Sequence, residues 1–205
     1  IQVACQPSYT ILVTDGYWNG NAGQNLSGAA IGNQDNADTG YSKRIEARYD
    51  GAVAGSTDTL ADVAMYYYKT DLRTDLSDQV PITSKDPAPH QHMTTFTVGL
   101  GLAGRLTFDK GYESGTSSDF EKLKLAPGSG GINWPVPAAN DETALDDLWH
   151  AAVNGRGTFF SAKDPAELSN GIAETLSSVQ ARVGAGAAAA TSNLQPVAGD
   201  NFAFT

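Results

Sequence analysis

Apolar and polar positions change period several times along the chain. Tyr9–Thr14, within "SYTILVT", is apolar or β-branched at nearly every position, which suits a parallel strand buried on both faces. "TTFTVGLGL", Thr94–Leu102, sets Phe96, Val98 and Leu100 on one side and Gly99 and Gly101 on the other, where a helix or loop backbone can approach closely. "GTFFSA", Gly157–Ala162, is a third short strand. Between them the period becomes helical. Leu60, Val63, Ala64 and Tyr67 fall at i, i+3, i+4 and i+7, with Leu72 extending the stripe and Ser56–Thr59 offering an N-cap. Leu145, Leu148, Trp149 and Ala152 follow a capping Asp141, with Gly155 at the far end. Asp164, Pro165 and Glu167 open a last helix, whose buried face is Leu168, Ile172, Leu176, Val179 and Val183 and which Gly184 ends. The pattern thus predicts strands at about 9–14, 94–101 and 157–161, and helices at about 58–71, 142–153 and 165–183.

Residues 16–55 and 103–140 show no period and are rich in Gly, Asn, Asp and Ser. Loops of that length are usually functional or mobile. Residues 185–205 are of low complexity and read as a linker toward a following β domain. The alternation of strand and helix predicts an α/β fold, a parallel sheet with right-handed crossovers. In such sheets ligands bind beyond the carboxyl ends of the strands. "ILVTDG" places Asp15 at such an end, with Gly16 permitting a sharp exit.

Composition narrows the function classes. The 205 residues are 40% hydrophobic and 18% charged, with a formal net charge of −10. That balance argues against a nucleic-acid or anionic-membrane surface, which needs clustered Lys and Arg. No run of apolar residues is long enough to span a bilayer. Cys5 is the one cysteine, so neither an internal disulfide nor a thiolate zinc site can form. It is either a small buried hydrophobe or half of a disulfide whose partner lies upstream, which implies an oxidising compartment. Low lysine and abundant Gly, Asn, Ser and Thr suit an extracytoplasmic protein. Both ends look cut from something larger: the chain opens within a few residues of a strand and closes on "NFAFT".

Several residues could carry chemistry. Asp15 supplies one carboxylate, as a ligand to a divalent cation or as the cap of its own turn. "GNQDNADTG", Gly32–Gly40, brings Asn33, Asp35, Asn36 and Asp38 close in sequence. Such oxygens can wrap calcium, but the spacing departs from the EF-hand loop, and Asn and Asp also simply make turns. His90 and His92 could share one strand face as a zinc pair, though no third ligand lies near. Tyr66, Tyr67 and Tyr68 could stack on sugars, but their helical spread turns at least one to the core. His150 beside Trp149 is expected to make a local hydrogen bond. Asp146 and Asp147 diverge by about 100° on a helix and cannot act as a pair. There is no Gly-x-Ser-x-Gly elbow, phosphate loop or His-Glu-x-x-His. A metal-dependent α/β hydrolase using Asp15 would need a second strand-end acid, which neither "TVGLG" nor "TFFSA" provides.

"ILVTDG" resembles the fourth strand of a von Willebrand factor A domain. "CQPSYTILVTDGYWNG", "TLADVAMYYYKTDLR", "QHMTTFTVGLGLAG" and "LDDLWHAAVNGRGTFFSAKDPAEL" are similar to the PilY/PilC family of type IV pilus tip proteins. The resemblance implies the C-terminal half of an A-like domain over 1–184, followed by a linker. It implies a non-catalytic module for adhesion, pilus assembly and twitching motility, exported and displayed at the pilus tip. Expected partners are pilins or minor pilins, a host or abiotic surface, and the missing N-terminal half of the domain. The family's metal site pairs the acid at Asp15 with an Asp-x-Ser-x-Ser turn and a Thr, neither of which precedes Asp15 here. "DTGYS", Asp38–Ser42, is the nearest imitation. A Mg or Ca site is therefore expected to be incomplete in this chain, with Asp15, Asp35 and Asp38 as its candidate ligands.

Overall fold

The structure is a computed structural model that describes residues 1–18, 20, 22–116, 118–162 and 165–192. Three strands, β1 (Ser8–Thr14), β2 (Met93–Leu100) and β3 (Arg156–Ala162), form one sheet in the order β1-β2-β3. Both pairings are parallel, with Ile11 opposite Phe96 and Thr97 opposite Phe159. The helices are α1 (Leu60–Lys69), α2 (Phe120–Leu123), α3 (Thr143–Asn154) and α4 (Pro165–Ser192). This is the α/β class expected, an open parallel sheet with flanking helices, consistent with part of a von Willebrand factor A-like domain.

Strand parity sets the two faces. Thr97 donates to the Leu148 carbonyl of α3, and a side chain at Gly99 would meet Leu145. The faces of adjacent strand residues alternate, so Leu12, opposite Thr97, turns toward α3 and its neighbour α1. Phe159 joins that core with Trp149, Tyr112, Phe120 and Trp134. Phe160 points the other way, where Gly171 of α4 lies against it. Gly155 and Gly157 flank the start of β3, and a Cβ at either would strike Thr95, so glycine lets the α3–β3 turn lie against β2.

The start of α1 is fully capped. Thr59 and Asp62 form a capping box, and Asp147 of α3 accepts from the Leu60 and Ala61 N–H groups, both at 3.0 Å. Every orphan donor of the first turn thus has a partner. The buried residues of α1 are Ala61, Asp62, Ala64, Met65 and Tyr68, so the expected Ala64 is buried as read, but the rest of the stripe lies one position on from the expected Leu60, Val63 and Tyr67. Those three are only half-buried. α3 is buried on every side, because α1, the sheet and the two long loops surround it. Asp141 takes up its first turn, accepting from the Thr143 N–H and hydroxyl at 3.0 and 2.8 Å.

Two expectations are corrected. β1 is not buried on both faces: Ile11, Leu12 and Val13 are 37, 36 and 44% exposed. It is an edge strand, paired on one side only among the described residues. The last helix does not stop at Gly184 but continues through it to Ser192, since glycine weakens a helix without forbidding it. The rest of the expected linker, 193–205, and the expected Asp164 cap lie outside the described residues.

Candidate functional site

The carboxyl end of β1 carries the first candidate. Its turn is held by Thr14, whose Oγ1 donates to the Gly16 carbonyl at 2.9 Å and accepts from the Gly16 N–H at 3.3 Å. Gly16 is not needed for sterics, since a Cβ there would meet nothing within 4 Å. That corrects the expectation that its freedom permits the exit; the threonine hydroxyl makes the turn. Asp15 is exposed, so the carboxylate stands at the rim with the turn already satisfied without it.

Beside this turn runs an apolar groove of about 560 Å³, lined by Leu12, Trp18, Leu60, Val63, Leu145 and Leu148 among others. The half-buried side of α1 faces it. Trp18 presents an indole N–H that is buried and lacks a hydrogen-bond partner among the described residues. An unmade hydrogen bond of this kind is costly.

A second cluster lies under the long loop after β1. Asp35 is buried and accepts from Asn154 Nδ2 at 2.6 Å, with His150 Nε2 at 3.2 Å. Asp50 accepts from Asn33 Nδ2 and from the Ser56 hydroxyl, both at 2.6 Å. Asp62 accepts from the Gln34 N–H at 2.6 Å. Burial, then the nearby Asp62 and Asp50, push Asp35 up to about 8. Burial likewise pushes Asp147 up to about 7, opposed by the two N–H groups of α1. Burial pushes His150 down to about 4, so it is neutral, and its Nε2 donates to the Arg48 carbonyl at 3.0 Å. The space between these groups is about 10 Å³, room for one water at most. The carboxylates tie the loop to α1 and α3 and already have their partners.

The sequence candidates are therefore spread out. Asp38 is exposed and accepts from the Arg44 N–H at 2.6 Å, while Asp35 is buried against α3. Among the described residues no group of three or more His, Cys, Asp or Glu is arranged to hold a metal ion. Asp15 alone offers a hard cation one carboxylate, too few oxygens, so these residues do not by themselves fit the divalent site. His90 Nε2 bonds the Tyr68 carbonyl at 2.9 Å, and His92 Nε2 lies 3.1 Å from Asp86. Each imidazole is committed to the fold. His150 bonds across the fold to Arg48 rather than locally. Tyr68 is wholly buried and stacks under the Arg156 guanidinium at 3.8 Å. Asp146 and Asp147 do diverge: Asp147 caps α1, while Asp146 accepts from the Arg105 and Leu106 N–H groups. Cys5 is an exposed free thiol, not a buried hydrophobe.

Sequence reasoning missed the groove and Trp18. The signal was present in the half-apolar stripe of α1, which was read as facing the core.

No protein-family model and no solved structure matches the chain. Curated proteins do. The chain is 37% identical over 187 residues, 82% of its length, to the type IV pilus biogenesis factor PilY1 of Pseudomonas aeruginosa strain PAO1. The same protein from strain PAK is 36% identical over 187 residues, and that from strain UCBPP-PA14 is 35% identical over 199. Over these residues the chain belongs to the PilY1-type proteins. It spans only 15–16% of the length of those relatives. Among its described residues no helix is long and apolar enough to cross a membrane.

Proposed function

We propose that this chain is a non-catalytic part of a type IV pilus biogenesis protein, displayed outside the cell and acting in pilus assembly, adhesion and twitching. The similarity to PilY1 over 82% of the chain carries this reading. The rim supports it: an exposed Asp15 beside an apolar groove is a contact surface. The test is deletion of the segment corresponding to 8–162 from the full-length protein in a piliated bacterium. Surface pili and twitching should fall sharply at unchanged protein level; wild-type piliation would overturn the reading.

We further propose that residues preceding Ile1 in the same polypeptide cover β1. They would add a strand to its open edge, fill the groove with apolar side chains and offer an acceptor to Trp18. The exposed Ile11, Leu12 and Val13, the groove and the orphan indole all ask for that cover, and relatives several times longer have chain to supply it. The same residues would complete a divalent-cation site at Asp15. Titration calorimetry checks this: the present chain should bind Mg²⁺ or Ca²⁺ weakly or not at all. The longer polypeptide should bind, and Asp15→Ala should abolish that binding.

A further inference from the structure

The sheet is crossed twice by the same route. α1 carries the chain from β1 to β2, and α3 carries it from β2 to β3. Each step moves one place across the sheet in the same direction. Both helices lie on the face of Thr97 and Gly99 and pack against each other. Crossovers between parallel strands keep one hand, so two that move in one direction share a face. A third that reaches β1 from beyond its open edge moves the same way and must cross on that face too.

The segment before β1 follows a course that agrees. Arg73, just past the end of α1, donates from Nη1 to the Ile1 carbonyl. Gln91 Nε2 donates to the Ala4 carbonyl at 2.6 Å and to the Ser77 carbonyl at 2.9 Å. The chain thus comes to β1 past the end of α1, where a helix lying alongside α1 and running the same way would deliver it.

The apolar groove lies on that same face. α1 packs on α3 and β2, and the groove of about 560 Å³ opens onto Leu12 of β1, Leu60 and Val63 of α1, and Leu145 and Leu148 of α3. Leu60 and Val63 stand one turn apart on one side of α1, and both are half-buried. An apolar stripe of this kind is built to meet another element. The relatives have chain to supply one, since the matched residues are only 15–16% of their length. We propose that the groove seats a crossover helix formed by residues that precede Ile1 in the same polypeptide. It lies over β1 beside α1, runs in the same direction as α1, and turns its apolar stripe to Leu12, Leu60 and Val63.

This rests on the reading that preceding residues cover β1, and one experiment separates the two. A photoreactive benzoylphenylalanine replaces Leu60 or Val63 in a longer polypeptide that includes those residues, and the captured peptides are mapped by mass spectrometry. Both positions should capture residues preceding Ile1 of the same polypeptide. The residue captured from Val63 should lie three or four positions after the one captured from Leu60, because two helices running side by side keep step. An extended segment covers the same distance, about 4.5 Å along α1, in one or two residues, and that spacing overturns the helix. Reversed order, capture of a second copy or capture of residues after β3 overturns it as well. Backbone chemical shifts of the unlabelled polypeptide give a reading free of the label: helical shifts are expected in the segment before Ile1, and extended shifts alone overturn the helix. Slowed exchange of the outward β1 amides beside any of these failures keeps the cover and loses the helix. Failure of the helix with unchanged exchange overturns both.

Discussion

β1 and β2 lie side by side, and their composition and their burial run in opposite directions. β1 is the more apolar, "SYTILVT", yet Ile11, Leu12 and Val13 are partly in solvent. β2, "MTTFTVGL", carries three threonines and is buried along nearly its whole length. Position explains the contrast. β2 has a strand on each side and helices on its faces. Two of its threonines are affordable because they are bonded: Thr97 to the Leu148 carbonyl, Thr94 to Asp86 at 3.1 Å. Among the described residues β1 has one neighbouring strand and an open groove beside it. An exposed apolar edge invites pairing with another chain. Composition therefore reports the surroundings a strand is built for, and burial reports the surroundings that are present.

The sharpest break of that comparison is a matched pair of truncations. Phe96→Ala in β2 should cost about 3–5 kcal/mol, because Phe96 is wholly buried. Val13→Ala in β1 should cost less than about 1 kcal/mol in this chain, with more lost once the preceding residues are present. Urea unfolding measures both, and equal costs would erase the distinction.

Acids offer the next test, Asp35 beneath the loop against Asp15 at the β1 rim. The folded pKa of Asp35, about 8, lies above its ordinary value of 3.8. Its contribution is fully present below about pH 4 and is lost as pH rises through 8. Asp147, at about 7, acts in the same sense. Stability should therefore fall from pH 5 to pH 9, and Asp35→Asn should recover on the order of a few kcal/mol at the alkaline end. Melting curves across that range decide it; an unchanged slope in Asp35→Asn would refute the assignment.

Smaller effects follow along the two strands. Thr97→Val should cost about 1 kcal/mol by removing the hydroxyl's bond to the Leu148 carbonyl, whereas Thr10→Val on β1 should stay within about 0.5 kcal/mol. Asp15→Ala should also stay within about 0.5 kcal/mol, since Thr14 holds the turn. A large loss there would make the rim aspartate structural.

Periodicity was enough for the parallel sheet and its helices, because each strand and helix has a strong local pattern and strand–helix alternation leaves few topologies. It could not show that β1 is half exposed among the described residues, since burial depends on neighbours that no local pattern encodes. The α1 stripe was misplaced by one position for the same reason: Leu60 and Val63 face the open groove, whereas Ala61 and Met65 meet the packed interior. Asp15 was legible as a strand-end acid. The buried network was not, because Asp35 meets His150 and Asn154 only by tertiary contact over more than a hundred residues.

The most direct measurement is amide hydrogen exchange along β1, made on this chain and on a longer polypeptide that includes the preceding residues. In this chain, alternate amides of 9–14 face away from β2 and should exchange quickly, while β2 amides are protected. In the longer polypeptide the outward β1 amides should slow by about tenfold or more, as partners form on the open edge. Unchanged fast exchange in the longer polypeptide would contradict the account and leave β1 a true edge.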